Sequence, residues 1–330
     1  MPGNRPAMLM ALILLVAFVA IFSYAGCGSS GSSESGSSAP AAWFTKASMP
    51  TARALFAVGV VNAKIYAIGG INSLGNLDVN EEYDPVANTW TAKASVITPR
   101  RGLAIGVVDN KIYAIGGYDG VNYLPTVEEY NPASDTWTAK APMPVSRTGV
   151  AAGVFNNKIY VTGGCDASTN YRPILIYNPA SDTWTTGALM ATGRAGFCAG
   201  MANNKIYAMG GATSVNTYED ANEIYEPGSN TWSNGAVVPG PRGCAGLGVI
   251  NNKIYLIGGE NYLTGQYYYY QTNYLYDPNT DQWVTKQYMP TNRTGLAVGV
   301  VNNKIYAIGG LGAGANYLAI NEEYNPAIDN

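Results

Sequence analysis

A Gly-Gly pair follows the tripeptide Lys-Ile-Tyr at six places in this chain, each time after two intervening residues. Successive pairs lie 47, 47, 47, 48 and 51 residues apart. A nearly constant period of this length is typical of an array of small β-units, because one such unit cannot bury its hydrophobic face alone. The pairs are Gly69-Gly70, Gly116-Gly117, Gly163-Gly164, Gly210-Gly211, Gly258-Gly259 and Gly309-Gly310.

The second copy illustrates how one unit folds. A run of small apolar residues begins at Gly102, the turn signal Asp109-Asn110 follows, and a second apolar run ends at the diglycine. After a variable segment, two more runs are separated by Asn131-Pro132 and a short turn. We predict strands at 102–108, 111–115, 126–130 and 136–140, with a loop at 118–125. Four antiparallel strands of this kind form one blade of a β-propeller.

Two aromatic positions recur beyond each diglycine. The third strands carry Tyr83, Tyr130, Tyr177, Tyr225, Tyr276 and Tyr324, and the fourth strands carry Trp90, Trp137, Trp184, Trp232 and Trp283. Gly-Gly, then Tyr, then Trp at these spacings resembles the kelch repeat over residues 43–330. The resemblance implies an all-β fold, a six-bladed β-propeller of four-stranded antiparallel blades. It also implies that each diglycine packs against the tryptophan of its own blade, so that these residues are structural.

The sixth unit ends without its tryptophan, and the missing piece lies at the other end of the array. The segment Trp43-Phe44-Thr45-Lys46 matches the fourth-strand segment that begins at Trp90. We therefore predict that strand 43–46 completes the last blade and closes the ring. Closure removes both open sheet edges, which would otherwise pair with other chains.

The N-terminal sequence has the features of an export signal. Arg5 precedes an apolar run from Ala7 to Phe22, and small residues lead from there to Cys27. The ending Ala25-Gly26-Cys27 resembles a bacterial lipobox. This resemblance implies that Cys27 carries a lipid and becomes the new N-terminus.

The expected domain organisation follows from that signal. Residues 1–26 form the signal peptide, the Gly/Ser-rich residues 27–42 form a lipid-attached tether, and residues 43–330 form the propeller. We expect the protein at the bacterial cell envelope, on the outer membrane or the cell surface. The alternatives are a secreted protein and one held by an uncleaved signal anchor, although 16 apolar residues are short for a span of about 20.

Six arginines, here called the ring arginines, lie eleven residues before the lysine of each Lys-Ile-Tyr. They are Arg53, Arg100, Arg147, Arg194, Arg242 and Arg293. One hypothesis is that they clamp a carboxylate or phosphate at the mouth of the central channel. The other, which we favour, is that they pair with third-strand glutamates such as Glu81, Glu128, Glu223 and Glu322, because a residue needed in every blade serves the scaffold.

The loops between second and third strands all lie on one face of the disc, which we call the loop face. When the residues that recur in every repeat are set aside, the loop face is left with tyrosines, acidic residues and the two arginines Arg101 and Arg172. Tyrosine offers a rigid ring and a hydroxyl, and carboxylates bind sugar hydroxyls. The binding candidates are Arg101, Tyr118, Asp119, Tyr123, Asp166, Tyr171, Arg172, Tyr218, Glu219, Asp220, Glu260, Tyr262, Tyr267, Tyr268, Tyr269 and Tyr270, and Tyr317 lies in the sixth loop.

The position two residues after each ring arginine faces the channel in kelch domains that bind acidic peptides. Here it holds Leu55, Gly102, Gly149, Gly196, Cys244 and Gly295, so the channel mouth is expected to be chemically plain. Besides Cys27 the chain has Cys165, Cys198 and Cys244, and we expect these three to be buried and reduced.

The absence of histidine narrows the function. It excludes a Ser-His-Asp triad, histidine-ligated metals and the copper site of galactose-oxidase relatives, and we expect no cofactor and no metal. The net charge of -3 argues against nucleic acid as a partner. We expect a monomer that touches the membrane only through its lipid and binds a glycan or a surface protein without catalysis. The alternative is an exported sugar-processing enzyme resembling sialic-acid mutarotases.

Overall fold

The computed structural model describes residues 41–329. The predicted signal peptide, the lipid attachment at Cys27 and almost all of the tether lie outside the described residues. Within residues 41–329, six four-stranded antiparallel sheets form the blades of a β-propeller, as predicted. The same residues contain no helix that is both long and apolar enough to cross a membrane.

Blades 1 to 5 take their strands in chain order from the inner edge at the central channel to the outer edge, and in blade 6 the N-terminal strand takes the outer position. Blades 1 and 2 consist of Ala57–Val61, Lys64–Ile68, Asn80–Asp84 and Thr89–Lys93, and of Ala104–Val108, Lys111–Ile115, Val127–Asn131 and Thr136–Lys140. Blades 3 and 4 consist of Thr148–Phe155, Lys158–Cys165, Pro173–Asn178 and Thr183–Leu189, and of Cys198–Ala202, Lys205–Met209, Asn222–Glu226 and Thr231–Asn234. Blades 5 and 6 consist of Gly246–Ile250, Lys253–Ile257, Asn273–Asp277 and Gln282–Lys286, and of Ala297–Val301, Lys304–Ile308, Asn321–Tyr324 and Trp43–Thr45.

The loops of the loop face contain short hairpins of their own. Their paired segments are Ile71–Asn72 with Gly75–Asn76, Ala212–Ser214 with Thr217–Tyr218, Glu260–Leu263 with Gln266–Tyr269, and Leu311–Gly312 with Asn316–Tyr317. A 3-10 turn at Ala313–Ala315 joins the last pair. Sequence reasoning treated these segments as plain loops, because a paired stretch of two to four residues leaves too short a pattern to detect.

Local sequence explains the blade hairpins. The first strand of blade 2 alternates buried and half-buried residues, and the second strand is buried from Ile112 to Ile115. Between them, Asp109 and Asn110 both adopt positive φ, at 50° and 58°. A two-residue turn with this geometry suits the right-handed twist of the strands, and asparagine and aspartate tolerate it best.

The closing strand is confirmed. Trp43 pairs with Tyr324 and Thr45 with Glu322, so the N-terminal strand forms the outer edge of blade 6. The Trp43 side chain is only 7% exposed, stacks on Tyr324 at 5.0 Å, and donates from Nε1 to the Gln287 carbonyl at 2.8 Å. Residues 41–329 therefore contain a complete closed ring.

The expected contact between each diglycine and its own tryptophan is wrong. The second glycine instead donates its N–H to the carbonyl of the next blade's ring arginine, as in Gly70 to Arg100 at 2.8 Å. All six pairs make this bond, at 2.8 to 3.0 Å. A Cβ on Gly69 would lie 2.6 Å from the same oxygen. The tryptophans stack on the third-strand tyrosines, with ring centroids 4.9 to 5.1 Å apart.

A second circle of hydrogen bonds surrounds the channel. The residues two positions after the ring arginines, here called the collar, each donate a backbone N–H to the collar carbonyl of the preceding blade. Leu55 accepts from Gly102 and donates to Gly295, both at 2.8 Å, and the circle closes through all six blades. Every collar residue has a φ between 52° and 63°. Four of them are glycine, which adopts this conformation at little cost.

The close approach between neighbouring blades can be tested at Gly116. This residue has a φ of 66°, and an added Cβ would lie 2.8 Å from the Arg147 carbonyl of the next blade, which accepts the Gly117 bond. We expect Gly116→Ala to lower the free energy of unfolding by about 3 kcal/mol in urea denaturation, because both strain and the clash must be relieved. Gly228→Ala is the control, since its nearest atom would be 3.7 Å away and its φ is ordinary. Equal stability of the two variants would contradict this assignment.

The closing strand offers a second test. Trp43→Ala removes a buried ring and its hydrogen bond, and we expect it to cost about 3–5 kcal/mol in the same assay. The neighbouring side chain of Phe44 is 40% exposed, so Phe44→Ala should cost much less. If both variants are as stable as the wild type, the strand does not hold the ring closed.

Candidate functional site

A cavity of about 980 Å³ opens at the channel mouth on the loop face. This volume is at the upper end of the usual range for small-molecule sites. Its lining comes from blades 5, 6, 1 and 2, and blades 3 and 4 contribute no lining residue. The cavity is therefore displaced from the sixfold axis, and it breaks the symmetry of the repeat.

Arg101 forms one end of this cavity. It follows a ring arginine directly, a position at which the other blades carry Ala54, Thr148, Ala195, Gly243 and Thr294. Arg101 is 5% exposed, its guanidinium lies 5.0 Å from the Tyr118 ring, and Nη1 donates to Asn76 Oδ1 at 3.1 Å. Its Nε has no hydrogen-bond partner, and no carboxylate within residues 41–329 pairs with it. A buried cation of this kind attracts an anionic or strongly accepting ligand group.

Glu260 forms the other end, in the blade opposite that of Arg101 in the ring of six. It directly follows a diglycine, where the other blades carry uncharged residues. Its Oε1 accepts a hydrogen bond from the Tyr218 hydroxyl at 2.8 Å. Burial raises the pKa of Glu260 above the ordinary glutamate value, and the Tyr218 bond offsets part of this shift. The carboxyl can therefore hold a proton and donate a hydrogen bond.

Tyrosines surround the acid. Tyr267 and Tyr269 line the cavity beside Glu260, and both are half-buried. Tyr262 packs edge to face against Tyr267, with ring centroids 5.0 Å apart, and the Tyr267 hydroxyl donates to Asn216 Oδ1 of the preceding blade at 2.9 Å. Burial raises the pKa of Tyr269 to about 12, with a further contribution from Glu260, so this hydroxyl stays protonated at neutral pH. The Tyr267 ring is held in place by these contacts.

Comparisons with known proteins agree with this architecture. A family model described as the KLHDC2/KLHL20/DRC7 Kelch-repeats domain matches residues 138–310, which is more than half of the chain. A model of the Kelch motif matches residues 52–96, 99–144 and 292–329. The chain belongs to the kelch-repeat family.

The structural comparison extends over most of this kelch propeller. The solved structure of YjhT superposes with a TM-score of 0.74 and 20% sequence identity, covering 83% of this chain and 95% of that one. An identity this low shows a shared fold alone. No curated protein sequence matches the chain.

The ring arginines of the kelch propeller are structural, as we favoured. All six are buried, and Arg53, Arg100, Arg194 and Arg293 form ion pairs with Glu81, Glu128, Glu223 and Glu322 in turn. In blades 3 and 5 the glutamate is replaced by Leu175 and Tyr274. None of the ring arginines lines the cavity, so the hypothesis of an arginine clamp at the channel mouth is wrong.

Several binding candidates instead complete the scaffold. Tyr171 lies under Arg147 at 4.7 Å and Tyr270 under Arg242 at 4.6 Å, where they cover the two ring arginines that lack a glutamate. Asp119 accepts the backbone N–H groups of its own turn, as does Asp166, which also accepts from Tyr171. Arg172 donates to the Met190 carbonyl at 2.7 Å and Glu219 accepts from Thr213 at 2.9 Å. These residues, together with Asp220 and the 44% exposed Tyr268, lie outside the cavity lining.

The collar itself is chemically plain, as expected, because it consists of glycine apart from Leu55 and Cys244, which both line the cavity. The channel mouth as a whole is not plain, because Arg101 and Glu260 line the same cavity. Burial raises the pKa of the Cys244 thiol well above its usual value, which makes it a poor nucleophile. Cys165, Cys198 and Cys244 are all free thiols, as predicted, but only Cys165 is buried, whereas Cys198 and Cys244 are half-buried.

A regular offset missed by sequence reasoning explains how neighbouring loops join. In three blades the residue seven before the third-strand tyrosine forms a hydrogen bond with the next blade: Asn76 with Arg101, Asn170 with the Thr213 carbonyl, and Tyr218 with Glu260. The six residues at this offset are Asn76, Tyr123, Asn170, Tyr218, Tyr269 and Tyr317. Counting back from the third strand reveals this series in the sequence, although the partner of each side chain requires the structure.

The raised pKa of Glu260 predicts a pH dependence of stability. A carboxyl whose pKa is higher in the folded state binds its proton more tightly there, so wild-type stability falls as pH rises from the ordinary glutamate pKa to the raised one. The Glu260→Gln variant cannot ionise and should lack this fall. We expect the difference in unfolding free energy between the two proteins to change across that interval in urea denaturation. Parallel stability curves from pH 4 to pH 8 would refute the shift.

Proposed function

We propose that this protein is an exported, membrane-tethered kelch propeller that binds a glycan in the cavity at its channel mouth. The observation that carries the proposal is Arg101, which is only 5% exposed, has no carboxylate partner among residues 41–329, and lines the same cavity as Glu260. A scaffold gains nothing from an unpaired buried charge, because its desolvation is costly. A ligand that accepts hydrogen bonds from the guanidinium offsets that cost.

The composition of the cavity favours a saccharide among polar ligands. Arg101 supplies donors only, whereas a protonated Glu260 both donates and accepts. Tyr267 and Tyr269 add hydroxyls and ring edges within the same wall. Sugars present many hydroxyls around an apolar ring face, so they use both kinds of contact.

The start of the described domain supports presentation away from a membrane. Trp43 pairs with Tyr324, whose other neighbour Ile305 lies at the end of blade 6 opposite the loop face. The chain therefore enters the propeller on the far side from the cavity. If Cys27 is lipidated and residues 27–42 form the tether, the cavity is directed outward.

A second function, a sugar-processing enzyme resembling sialic-acid mutarotases, is favoured by one observation. Glu260 is a carboxyl of raised pKa beside a bound Tyr218 hydroxyl, the kind of group that serves as a general acid or base. Among residues 41–329 it is the only carboxylate in the cavity lining, so a two-carboxylate glycosidase does not fit. Interconversion of anomers breaks the bond between the anomeric carbon and the ring oxygen, removes the proton of the anomeric hydroxyl and delivers one to the ring oxygen. A single carboxyl can exchange both protons through its two oxygens, and ring closure on the other face reverses the transfer. Magnetisation exchange between anomers, measured by NMR with and without Glu260→Gln, separates enzyme from binder.

The binding proposal predicts the result of a glycan array probed with residues 41–330. We expect selective binding, and we expect Arg101→Gln to weaken it at least tenfold, since hydrogen bonds to a charged group contribute about 1.5–3 kcal/mol. Arg172→Gln is the matched control, because Arg172 is the other loop-face arginine outside the repeat and does not line the cavity. Binding to no glycan, or an equal loss in both variants, would overturn the proposal. Capture of a protein without any glycan would point to a protein ligand instead.

A further inference from the structure

The cavity wall is chemically divided. Arg101 of blade 2 and Glu260 of blade 5 stand at its two ends. Between them, blades 6 and 1 contribute a mixed wall. Its large aliphatic side chains are Leu55, Ile71 and Leu74 from blade 1 and Leu311 from blade 6, and the same wall contains polar side chains such as Thr51, Asn72, Ser73 and Asn316. Thr294 and Tyr317 border this wall on the side of blade 6.

Leu55 is strained at this wall. It belongs to the collar and has a φ of 54°, a conformation that side chains other than glycine adopt reluctantly. The bond it donates comes from the backbone alone, and glycine makes the same bond in four other blades. The side chain is nevertheless half-exposed to the cavity. One of its methyl groups also lies beside Gly295 of blade 6, where an added Cβ would be 3.3 Å from it. A strained side chain that the collar bond does not require indicates a use at the site.

The other aliphatic side chains at the wall are exposed as well. Leu74, at the tip of the first loop, is 90% exposed, and Ile71 and Leu311 are half-exposed. Ile71 and Leu311 occupy the position after the diglycine, which is alanine in blade 4 and Glu260 in blade 5. Nothing in the ring requires a large aliphatic residue there. Together the four side chains form an apolar surface that is continuous with the polar ends of the cavity.

We infer that the ligand is amphiphilic, a saccharide bearing an apolar alkyl or acyl substituent that packs on Leu55, Ile71, Leu74 and Leu311 while its sugar lies between Arg101 and Glu260. This inference rests on the proposed glycan function and specifies the class of glycan. Burial of the substituent removes apolar surface of both partners from water. The four side chains thus select substituted sugars over unsubstituted ones.

Paired glycosides test the inference by isothermal titration calorimetry. Residues 41–330 are titrated with methyl and hexyl β-glycosides of glucose, galactose, N-acetylglucosamine and glucuronic acid, and with hexanol. For at least one sugar we expect the hexyl glycoside to bind ten times more tightly than the methyl glycoside, and more tightly than hexanol. Leu55→Gly and Leu74→Ser should each reduce that ratio. Leu55→Gly places in blade 1 the residue that four other blades already carry, so the variant is expected to fold.

Val121→Ser provides the matched control. Val121 is 80% exposed at the tip of the second loop and does not line the cavity, so this variant should keep the full ratio. Equal affinities for methyl and hexyl glycosides would overturn the inference and leave glycan binding intact. Hexanol binding as tightly as the hexyl glycosides would overturn the saccharide part. Binding of none of the probes would overturn the inference and count against the glycan proposal as well.

Discussion

The fold depends on one backbone hydrogen bond that is repeated six times. The second glycine of each pair donates to the carbonyl of the next blade's ring arginine, at 2.8 to 3.0 Å. A Cβ on the first glycine would lie within 2.8 Å of that same carbonyl, and a Cβ on the second would lie 2.7 to 3.1 Å from a carbonyl of its own blade. The first glycine of the repeat therefore records the contact between blades, and the second records a close approach within its own blade. The arginine side chain then fills the adjacent interior, and in four blades a glutamate neutralises it. The backbone hydrogen bond therefore fixes the spacing of the blades. The arginine–glutamate pairs beside it neutralise most of the buried charge.

Because the scaffold uses the repeated charges, the residues that depart from the repeat are free to define the site. Arg101 and Glu260 each follow a repeated residue directly, where other blades have uncharged side chains. Leu55 and Cys244 depart from glycine in the collar. All four line one cavity. The ring thus holds these four side chains in fixed positions around the channel mouth. A binding site can therefore form there without any change in the strands of the blades.

Much of this could be predicted from the sequence. Strands 111–115 and 136–140 and the closing role of Trp43 followed from the repeat, and the ring arginines were correctly assigned to the scaffold. The predicted contact between each diglycine and the tryptophan of its own blade was wrong. The real contact is with the next blade, and such a contact leaves no pattern within the sequence of one blade. Tyr171 and Tyr270 looked like free loop tyrosines, yet they cover Arg147 and Arg242, whose missing glutamates are visible only once third strands are aligned with arginines. The collar residues were not among the predicted binding candidates. Leu55 and Cys244 of the collar nevertheless line the cavity.

The central claim is that the ligand lies in the channel mouth between Arg101 and Glu260. A crystal structure of residues 41–330 with the tightest-binding glycoside tests it most directly. The account predicts an oxygen of the sugar at about 3 Å from the Arg101 guanidinium, with another polar group of the sugar at the Glu260 carboxyl. A ligand bound at the exposed Tyr268, on the outer edges of the blades or on the face opposite the loops would contradict it.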